Sequence, residues 1–193
     1  MKKLVVVVVV MLSFIGFAQA QHTNFGVKAG YNSASVDIDP GDDYDAQSGF
    51  HVGALAHIHC GKYFAVQPEL VFSTQGGEDL NGDLDLKYIN VPVLAQYMVS
   101  NGFRLQTGPQ IGFLVSAQRE VNNVDTDVSD LYNTVDVSWA FGAGYVFSSG
   151  LGIDARFNLG LTDIREDNAF KAKNRVFQVG LFYQFRNGSN VKK

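Results

Sequence analysis

The stretch VFQVGLFYQF, from Val176 to Phe185, decides the fold because its side chains alternate strictly between two kinds. One parity is large and apolar: Phe177, Val179, Leu181, Tyr183 and Phe185. The other parity is mostly small or amide-bearing, and only Val176 and Phe182 are bulky. Such alternation predicts a β-strand whose two faces lie in different environments.

The composition is that of an all-β protein. The 193 residues include 20 glycines, only 4 prolines, and many aromatic residues (15 Phe, 8 Tyr and 1 Trp). The formal net charge is −4, which argues against nucleic acid as a partner. Cys60 is the only cysteine, so an internal disulfide is impossible.

The N-terminus has the pattern of a cleaved signal peptide at residues 1–20. Lys2 and Lys3 precede an apolar segment over residues 4–17, and Ala18-Gln19-Ala20 is an A-x-A cleavage site. The apolar segment is too short to span a bilayer of about 30 Å comfortably. We therefore expect one exported domain at residues 21–193, without a lipid anchor because residue 21 is Gln rather than Cys.

The same alternation recurs along the chain and predicts eight strands, and no segment has a helical period. The strands are approximately residues 24–36, 49–60, 62–74, 84–99, 103–117, 134–147, 151–163 and 174–186. Short Gly-containing turns follow the second, fourth and sixth strands, whereas long loops are expected at 37–48, 75–83, 118–133 and 164–173. This layout predicts an eight-stranded antiparallel up-and-down transmembrane β-barrel in the outer membrane of a Gram-negative cell, with short periplasmic turns and long external loops.

The polar parity is expected to face the lumen. In the fifth strand it reads Arg104, Gln106, Gly108, Gln110, Gly112. Glycines at many such positions suit the narrow interior of an eight-stranded barrel better than a solvated exterior. A soluble lipocalin-like barrel that binds a small ligand is the alternative, because alternation alone fits both.

The fourth strand fits this pattern least well. It is apolar on both parities in places, and Pro92 removes a ladder hydrogen bond in a barrel that has no free edge. We expect a bulge or kink at this point.

Four motifs in order resemble the PorT-type family of outer-membrane barrels. They are YINVPVLAQY at 88–97, VQPELVFS at 66–73 followed by Gly76, TGP at 107–109 and RFNLGLTDI at 156–164. The resemblance covers approximately residues 24–186 and implies an eight-stranded outer-membrane barrel. It implies little about activity, although the founding type of the family is linked to a protein-secretion pathway. Such barrels often end at a terminal aromatic residue, whereas here Phe185 is followed by residues 186–193.

Charged residues on the inward parity are the main candidates for a functional site. They are Lys28, Glu69, Arg104, Asp136, Asp154 and Arg156. A proton or ion path is one interpretation, but buried charges must be paired in any case, so we favour a balanced polar network that fills the barrel.

Two further groups contain metal-ligand residue types, and we interpret them as polar side chains of the lumen and loops. His51, His57 and His59 share a parity and Cys60 follows, but a closed zinc site needs four ligands. Asp79, Asn81, Asp83 and Asp85 alternate as in a calcium loop, but the usual Gly and Glu are absent. We expect no metal and no cofactor, although weak calcium binding by the acidic loops is left open.

Three functions remain to be compared. A structural or interaction barrel with acidic external loops is preferred, and the resemblance to the PorT-type family implies an accessory role in protein secretion. A lipid-modifying enzyme at the barrel rim is disfavoured because no nucleophile and base are seen to converge, and a pore is disfavoured because eight strands leave a filled interior. The expected partners are outer-membrane lipid and lipopolysaccharide, with a protein partner at the external loops, and the expected state is a monomer.

Overall fold

The computed structural model describes residues 23–39, 45–79, 82–99, 101–121, 124–164 and 171–185. In these ranges the chain forms nine strands and one short 3-10 segment, Ser129–Leu131. The strands are β1 (Thr23–Asp39), β2 (Gln47–His59), β3 (Phe64–Asp79), β4 (Gly82–Met98), β5 (Phe103–Val121), β6 (Val124–Asp127), β7 (Val135–Val146), β8 (Leu151–Gly160) and β9 (Lys171–Gln184). No helix in the described ranges is long and apolar enough to cross a membrane. The predicted signal peptide lies outside the described residues.

Eight of these strands close into a ring, which confirms the predicted antiparallel up-and-down barrel. Each strand of the ring pairs antiparallel with the next ring strand along the chain, and the first, β1, pairs with the last, β9, to complete the circuit. β5 continues around the ring to β7, and the short β6 pairs with the outer end of β5. A closed ring leaves no free sheet edge, so its backbone hydrogen bonds are satisfied within the barrel.

Side-chain burial alternates with the predicted parity. Along β8, exposed and buried residues follow each other from Leu151 to Gly160, and the buried set is the polar and small one. The outward side chains are large and apolar, and Leu181 is 57% exposed. The lone indole N–H on this outer face, that of Trp139, donates to Thr107 Oγ1 at 2.9 Å. A continuous apolar exterior of this extent indicates a lipid-facing surface.

The strands are longer at the external end than predicted. The expected loop at 75–83 is instead the end of a hairpin in which β3 and β4 pair as far as Asp79 and Gly82. The expected loop at 118–133 contains the end of β5, the strand β6 and the 3-10 segment. Conversely, β8 ends at Gly160 rather than Asp163. The prediction is wrong at 75–83 and 118–133 because pairing with a neighbour overrides the turn-like composition of acidic and glycine residues.

Pro92 does not produce the expected bulge in β4. The pairs Val71↔Asn90 and Pro68↔Val93 keep one register across it, and pairing with β5 resumes at Ala95 in unchanged register. The register shift lies instead at Lys87/Tyr88, opposite Val115 of β5. The β4 backbone therefore continues in register through the fully buried proline, and the irregularity is near the external end.

The polarity of the barrel inverts at its external end. On β1 the outward residues change from apolar to polar after Tyr31, and on β4 the polar residues Asp83, Asp85 and Lys87 precede Ile89. At the same level the inward residues become apolar. They form a buried group, here called the external cluster: Val36, Leu84, Leu86, Tyr88, Ala117, Ile164 and Ala172.

The sheet therefore continues past the lipid-facing belt as a water-exposed structure with a core of its own. We call residues 33–39, 74–79, 82–88, 116–121 and 171–175 the external extension. The six residue-to-residue steps from Tyr31 to Asp37 correspond to about 20 Å of strand, before allowing for tilt. The apolar inward residues of β4 that fitted a membrane barrel poorly belong to this extension.

Candidate functional site

Four of the charged residues on the inward parity meet in the lumen as one network, here called the charge quartet. Arg156 makes two parallel hydrogen bonds to Glu69, from Nη1 to Oε2 at 3.0 Å and from Nη2 to Oε1 at 2.9 Å. Lys28 Nζ donates to Asp154 Oδ2 at 2.9 Å and to Glu69 Oε2 at 3.5 Å. Arg156 Nη2 also lies 3.5 Å from Asp154 Oδ2.

The charge quartet has no net charge and is almost completely shielded from solvent. Two cations face two anions, and every one of the four side chains is at most 7% exposed. The bidentate arginine–carboxylate geometry is the arrangement that best offsets the loss of hydration. Glu69 accepts a further hydrogen bond from Gln67 Nε2 at 2.8 Å. Each charged group of the quartet therefore has an oppositely charged partner, and Arg156 Nε is the one buried nitrogen of the four side chains without a hydrogen-bond partner among the described residues.

Arg104 and Asp136 lie apart from the charge quartet. Asp136 is toward the external end, where its Oδ1 accepts from Thr162 Oγ1 at 2.8 Å. Arg104 is toward the short-turn end, where Nη1 donates to Gln96 Oε1 at 3.4 Å. Among the residues that the structure describes, neither has an oppositely charged side chain within 4.0 Å. The structure thus brings together four of the six candidate residues and leaves these two separate.

An amide layer that the sequence analysis did not single out lies beside the charge quartet. Asn32 Nδ2 donates to Ser73 Oγ at 2.9 Å and to the Phe50 carbonyl at 3.0 Å. Asn32 Oδ1 accepts from Gln178 Nε2 at 3.0 Å and lies 2.7 Å from His51 Nδ1. All of these polar side chains share the inward parity of their strands, so the alternation could have identified them.

The three strand-two histidines line the lumen. His57 Nδ1 lies 3.3 Å from Gln67 Oε1, and the His57 and His59 rings meet edge to face at 4.5 Å. Cys60 is exposed in the turn that follows. Within the described ranges, no group of three or more His, Cys, Asp and Glu side chains could hold a metal ion.

The acidic candidates for calcium lie at the external end. Asp85 Oδ1 accepts from Gln47 Nε2 at 2.9 Å, and Asp83 precedes it on β4. Asp37 forms an ion pair with Arg175 across the β1–β9 ladder. Asn81, Asp42 and Asp43 lie outside the described residues.

A cavity of about 260 Å³ lies at the short-turn mouth of the barrel. Its polar wall is formed by Asn24, His57, His59, Arg104 and Gln184. Aromatic residues surround this mouth on the lipid side, among them the ring pairs Phe64–Tyr97 at 5.3 Å and Tyr183–Phe185 at 5.5 Å. An aromatic girdle of this kind marks a membrane–water interface.

The closed ring, the apolar belt, the aromatic girdle and the polar lumen together define a transmembrane β-barrel of the outer-membrane type. The chain belongs to the family described as "Outer membrane protein beta-barrel domain", whose model matches residues 17–166. It is accordingly a protein of the cell outer membrane.

Solved structures support the same fold. Neisserial surface protein A is 14% identical, with a TM-score of 0.61 over 86% of this chain and all of that one. Ail, the attachment invasion locus protein of Yersinia pestis, is 18% identical, with a TM-score of 0.52 over 85% of this chain and 99% of that one. Ail has also been solved in complex with the heparin analogue sucrose octasulfate. A comparison with curated protein sequences found no match.

Proposed function

We propose that this outer-membrane barrel has a structural and recognition role, in which the external extension is presented to partners on the cell surface. The observation that carries the proposal is the inversion of polarity at the external end, which gives the projecting strands a buried apolar core. A projecting sheet with its own core is a rigid support for recognition loops. A barrel whose only task was to span the bilayer would not need one.

The occupied lumen argues against conduction. The charge quartet crosses the interior with side chains at most 7% exposed, and the external cluster fills the interior above it. An eight-stranded barrel is just wide enough for its own side chains. No continuous water-filled path is expected through such an interior.

The same contacts argue against catalysis. His51 and His57 each engage an amide oxygen rather than a serine, threonine or cysteine nucleophile. An acyl-transfer or hydrolytic site needs a nucleophile within hydrogen-bond reach of its base. We propose a non-enzymatic protein that requires no cofactor.

The charge of the external surface favours some partners over others. The connections around 37–48 and 118–133 are rich in aspartate and glutamate, so they should repel sulfated or phosphorylated polymers in the absence of divalent cations. Lipopolysaccharide bridged by such cations, or a protein with a basic surface, fits this charge. Leu131, 58% exposed on the 3-10 segment, adds an apolar contact point.

The PorT-type motifs at 66–73, 88–97, 107–109 and 156–164 support a narrower assignment. We propose that the chain is a PorT-type barrel, processed after Ala20, monomeric, and accessory to the secretion of other proteins. In that role the external extension would contact the secreted protein or its transport machinery.

Site-specific photo-crosslinking in living cells tests the recognition role. A photoreactive residue at Asp130, exposed on the 3-10 segment, should give a discrete adduct with protein or lipopolysaccharide. The same residue at Leu181, which faces lipid, should give none of that size. Identical adducts at both positions, or none at Asp130, would contradict the proposal, and unchanged secretion in cells lacking the chain would exclude the accessory role.

A further inference from the structure

The cavity at the short-turn mouth is lined by a cation, Arg104, that has no carboxylate oxygen within 4.0 Å in the described part of the chain. Arg104 is 4% exposed and lines this cavity. Arg104 donates to the neutral amide oxygen of Gln96 at 3.4 Å, and its guanidinium lies 5.3 Å from the centroid of the Phe182 ring. Lys28 and Arg156, the other two buried bases of the lumen, each contact two carboxylates.

Two hydrogen-bond donors at this cavity have no acceptor among the described residues. Arg104 Nε and Gln184 Nε2 are buried and have no hydrogen-bond partner in the described part of the chain. Both residues line the same cavity. Buried donors without acceptors are rare in proteins, and a missing ligand or ion is one of the recognised reasons for them.

From this juxtaposition we infer that the short-turn mouth is a binding site for a phosphate-class oxyanion. Arg104 supplies the compensating charge, Gln184 supplies a second N–H donor, and His57 and His59 form the adjacent wall. The volume of about 260 Å³ accommodates a tetrahedral oxyanion with a few waters. A metal cation does not fit, because Arg104 would repel it.

The position of the cavity determines where the oxyanion comes from. The mouth lies between the turns that join β4 to β5 and β7 to β8, the end opposite the external extension. The ligand therefore enters from the periplasmic side, either as free phosphate or as the headgroup of an anionic phospholipid. Both present the same tetrahedral oxyanion to Arg104.

The Arg104 Nε–H resonance of the intact barrel provides a direct test, in maltoside detergent micelles and in nanodiscs. In the micelles, which contain no phosphate, added inorganic phosphate should shift this resonance saturably. If discs containing phosphatidylglycerol already show the shifted position, and free phosphate adds nothing, the lipid headgroup is the source. If the resonance moves only when free phosphate is added, soluble oxyanion is the source. If it moves under neither condition, the site does not exist.

Two variants separate the site from a general effect of charge. Arg104→Gln should weaken phosphate binding at least tenfold, measured as the midpoint of the shifts at backbone amides around the mouth. Arg175→Gln removes the same charge from the external rim, where Arg175 pairs with Asp37, and should leave the midpoint unchanged. Equal midpoints in Arg104→Gln and the native chain would overturn the inference. If Arg104→Gln does not fold, the resonance test on the native chain still decides.

Discussion

Glu69 is the acceptor on which the charge quartet depends, because it receives hydrogen bonds from Arg156, Lys28 and Gln67. Removing its charge would leave two buried bases facing the single carboxylate of Asp154. Removing one partner of a buried ion pair costs more free energy than replacing the whole pair by apolar residues, because the remaining charge is left uncompensated.

We therefore expect Glu69→Gln to destabilise the barrel by about 3–5 kcal/mol. Urea unfolding of the barrel in lipid vesicles, followed by tryptophan fluorescence, measures this change. Glu120→Gln, which removes an acid near the external end of β5, is the matched control and should change the free energy of unfolding by less than about 1 kcal/mol. Equal effects of the two substitutions would contradict the proposed importance of the quartet.

Gly30 marks a place where the barrel wall has no room for a side chain. A Cβ added there would lie 2.3 Å from the Val179 carbonyl oxygen and 2.6 Å from His51 Cε1. The first of these atoms is backbone, so it cannot move without disturbing the β1–β9 ladder.

Gly30→Ala should consequently prevent most molecules from reaching the folded barrel, which migrates as a compact band on a gel unless the sample is boiled. The measurement is the fraction of the protein that migrates as the compact band on unheated gels. Gly61→Ala provides the control, because a Cβ at that turn position meets nothing within 4 Å. A compact band of normal intensity for Gly30→Ala would show that the ladder can adjust.

Inward-facing residues were predictable one by one, but their partners were not. The period of two in the sequence places Lys28, Glu69, Asp154 and Arg156 on the inward parity. The strand pairing then decides which of them meet, and Lys28 and Asp154 are 126 residues apart. Arg104 has the same inward parity and positive charge as Lys28 and Arg156. It nevertheless lies closer to the short turns and outside the charge quartet. The strand register sets how far along the barrel axis each inward side chain lies, and alternation alone does not determine it.

At the scale of the strand, β4 changes its environment along its length. Leu86 is fully buried in the external cluster, whereas Ile89, three residues later, is 39% exposed on the lipid-facing side. This change explains why both parities of the strand contain apolar residues. The apolar pattern is visible in the sequence. Its cause becomes clear only when the position along β4 at which the lipid-facing belt ends is known.

Leu86→Ala should destabilise the barrel by about 2–5 kcal/mol, the range for truncating a buried leucine. Ile89→Ala should cost less, because lipid can fill the space that the smaller side chain leaves. The free energy of unfolding in vesicles and the rate of external protease cleavage in whole cells test the comparison. A larger loss for Ile89→Ala would contradict the assignment of the two residues to separate environments.

One carboxylate contributes a hydrogen bond to the first residue of the 3-10 segment after β6. Asp127 Oδ1 accepts from the Ser129 backbone N–H at 2.9 Å, and hydrogen bonds from Ser129 lower the pKa of Asp127. A lowered pKa means that the folded turn favours the ionised form. Its stabilising contribution is therefore complete above the ordinary aspartate pKa of about 4 and is lost as the pH falls below the lowered value.

Amide hydrogen exchange at Ser129 should accordingly stay slow relative to the intrinsic rate until the pH drops below about 4. In Asp127→Asn, which cannot ionise, the protection factor should be lower at neutral pH and should not change over this range. Protection that declines already near neutral pH in the native chain would show that another group controls the turn.

The strand ends of the external extension were harder to predict than the barrel itself. Residues such as Gly76, Asp79 and Asp83 have the composition of a loop, yet they continue the β3–β4 ladder. Their pairing is stabilised by the external cluster, whose members come from distant parts of the chain. Local composition carries no information about such a cluster, so the predicted strands stop short.

At the scale of the whole molecule, the interior is occupied from the charge quartet to the external cluster. We expect the purified barrel to give no discrete conductance steps in planar lipid bilayers, because a filled lumen offers ions no hydrated path. The heat-dependent gel shift of the same preparation confirms that folded protein was inserted. Steady, voltage-independent steps from such a preparation would contradict a closed lumen.

The external cluster also has a consequence for assembly. Asp83, Asp85 and Lys87 must cross the hydrocarbon layer before the strands that carry them can project from the far side. The apolar side chains behind them can pack together only after that crossing. Their packing energy therefore stabilises the fully inserted state and not the folding intermediates that precede it. Extraction must first break the external cluster and then return the charges through the bilayer. Interactions absent from a transition state slow unfolding rather than speed folding. A barrel of this design should leave the membrane far more slowly than its size suggests.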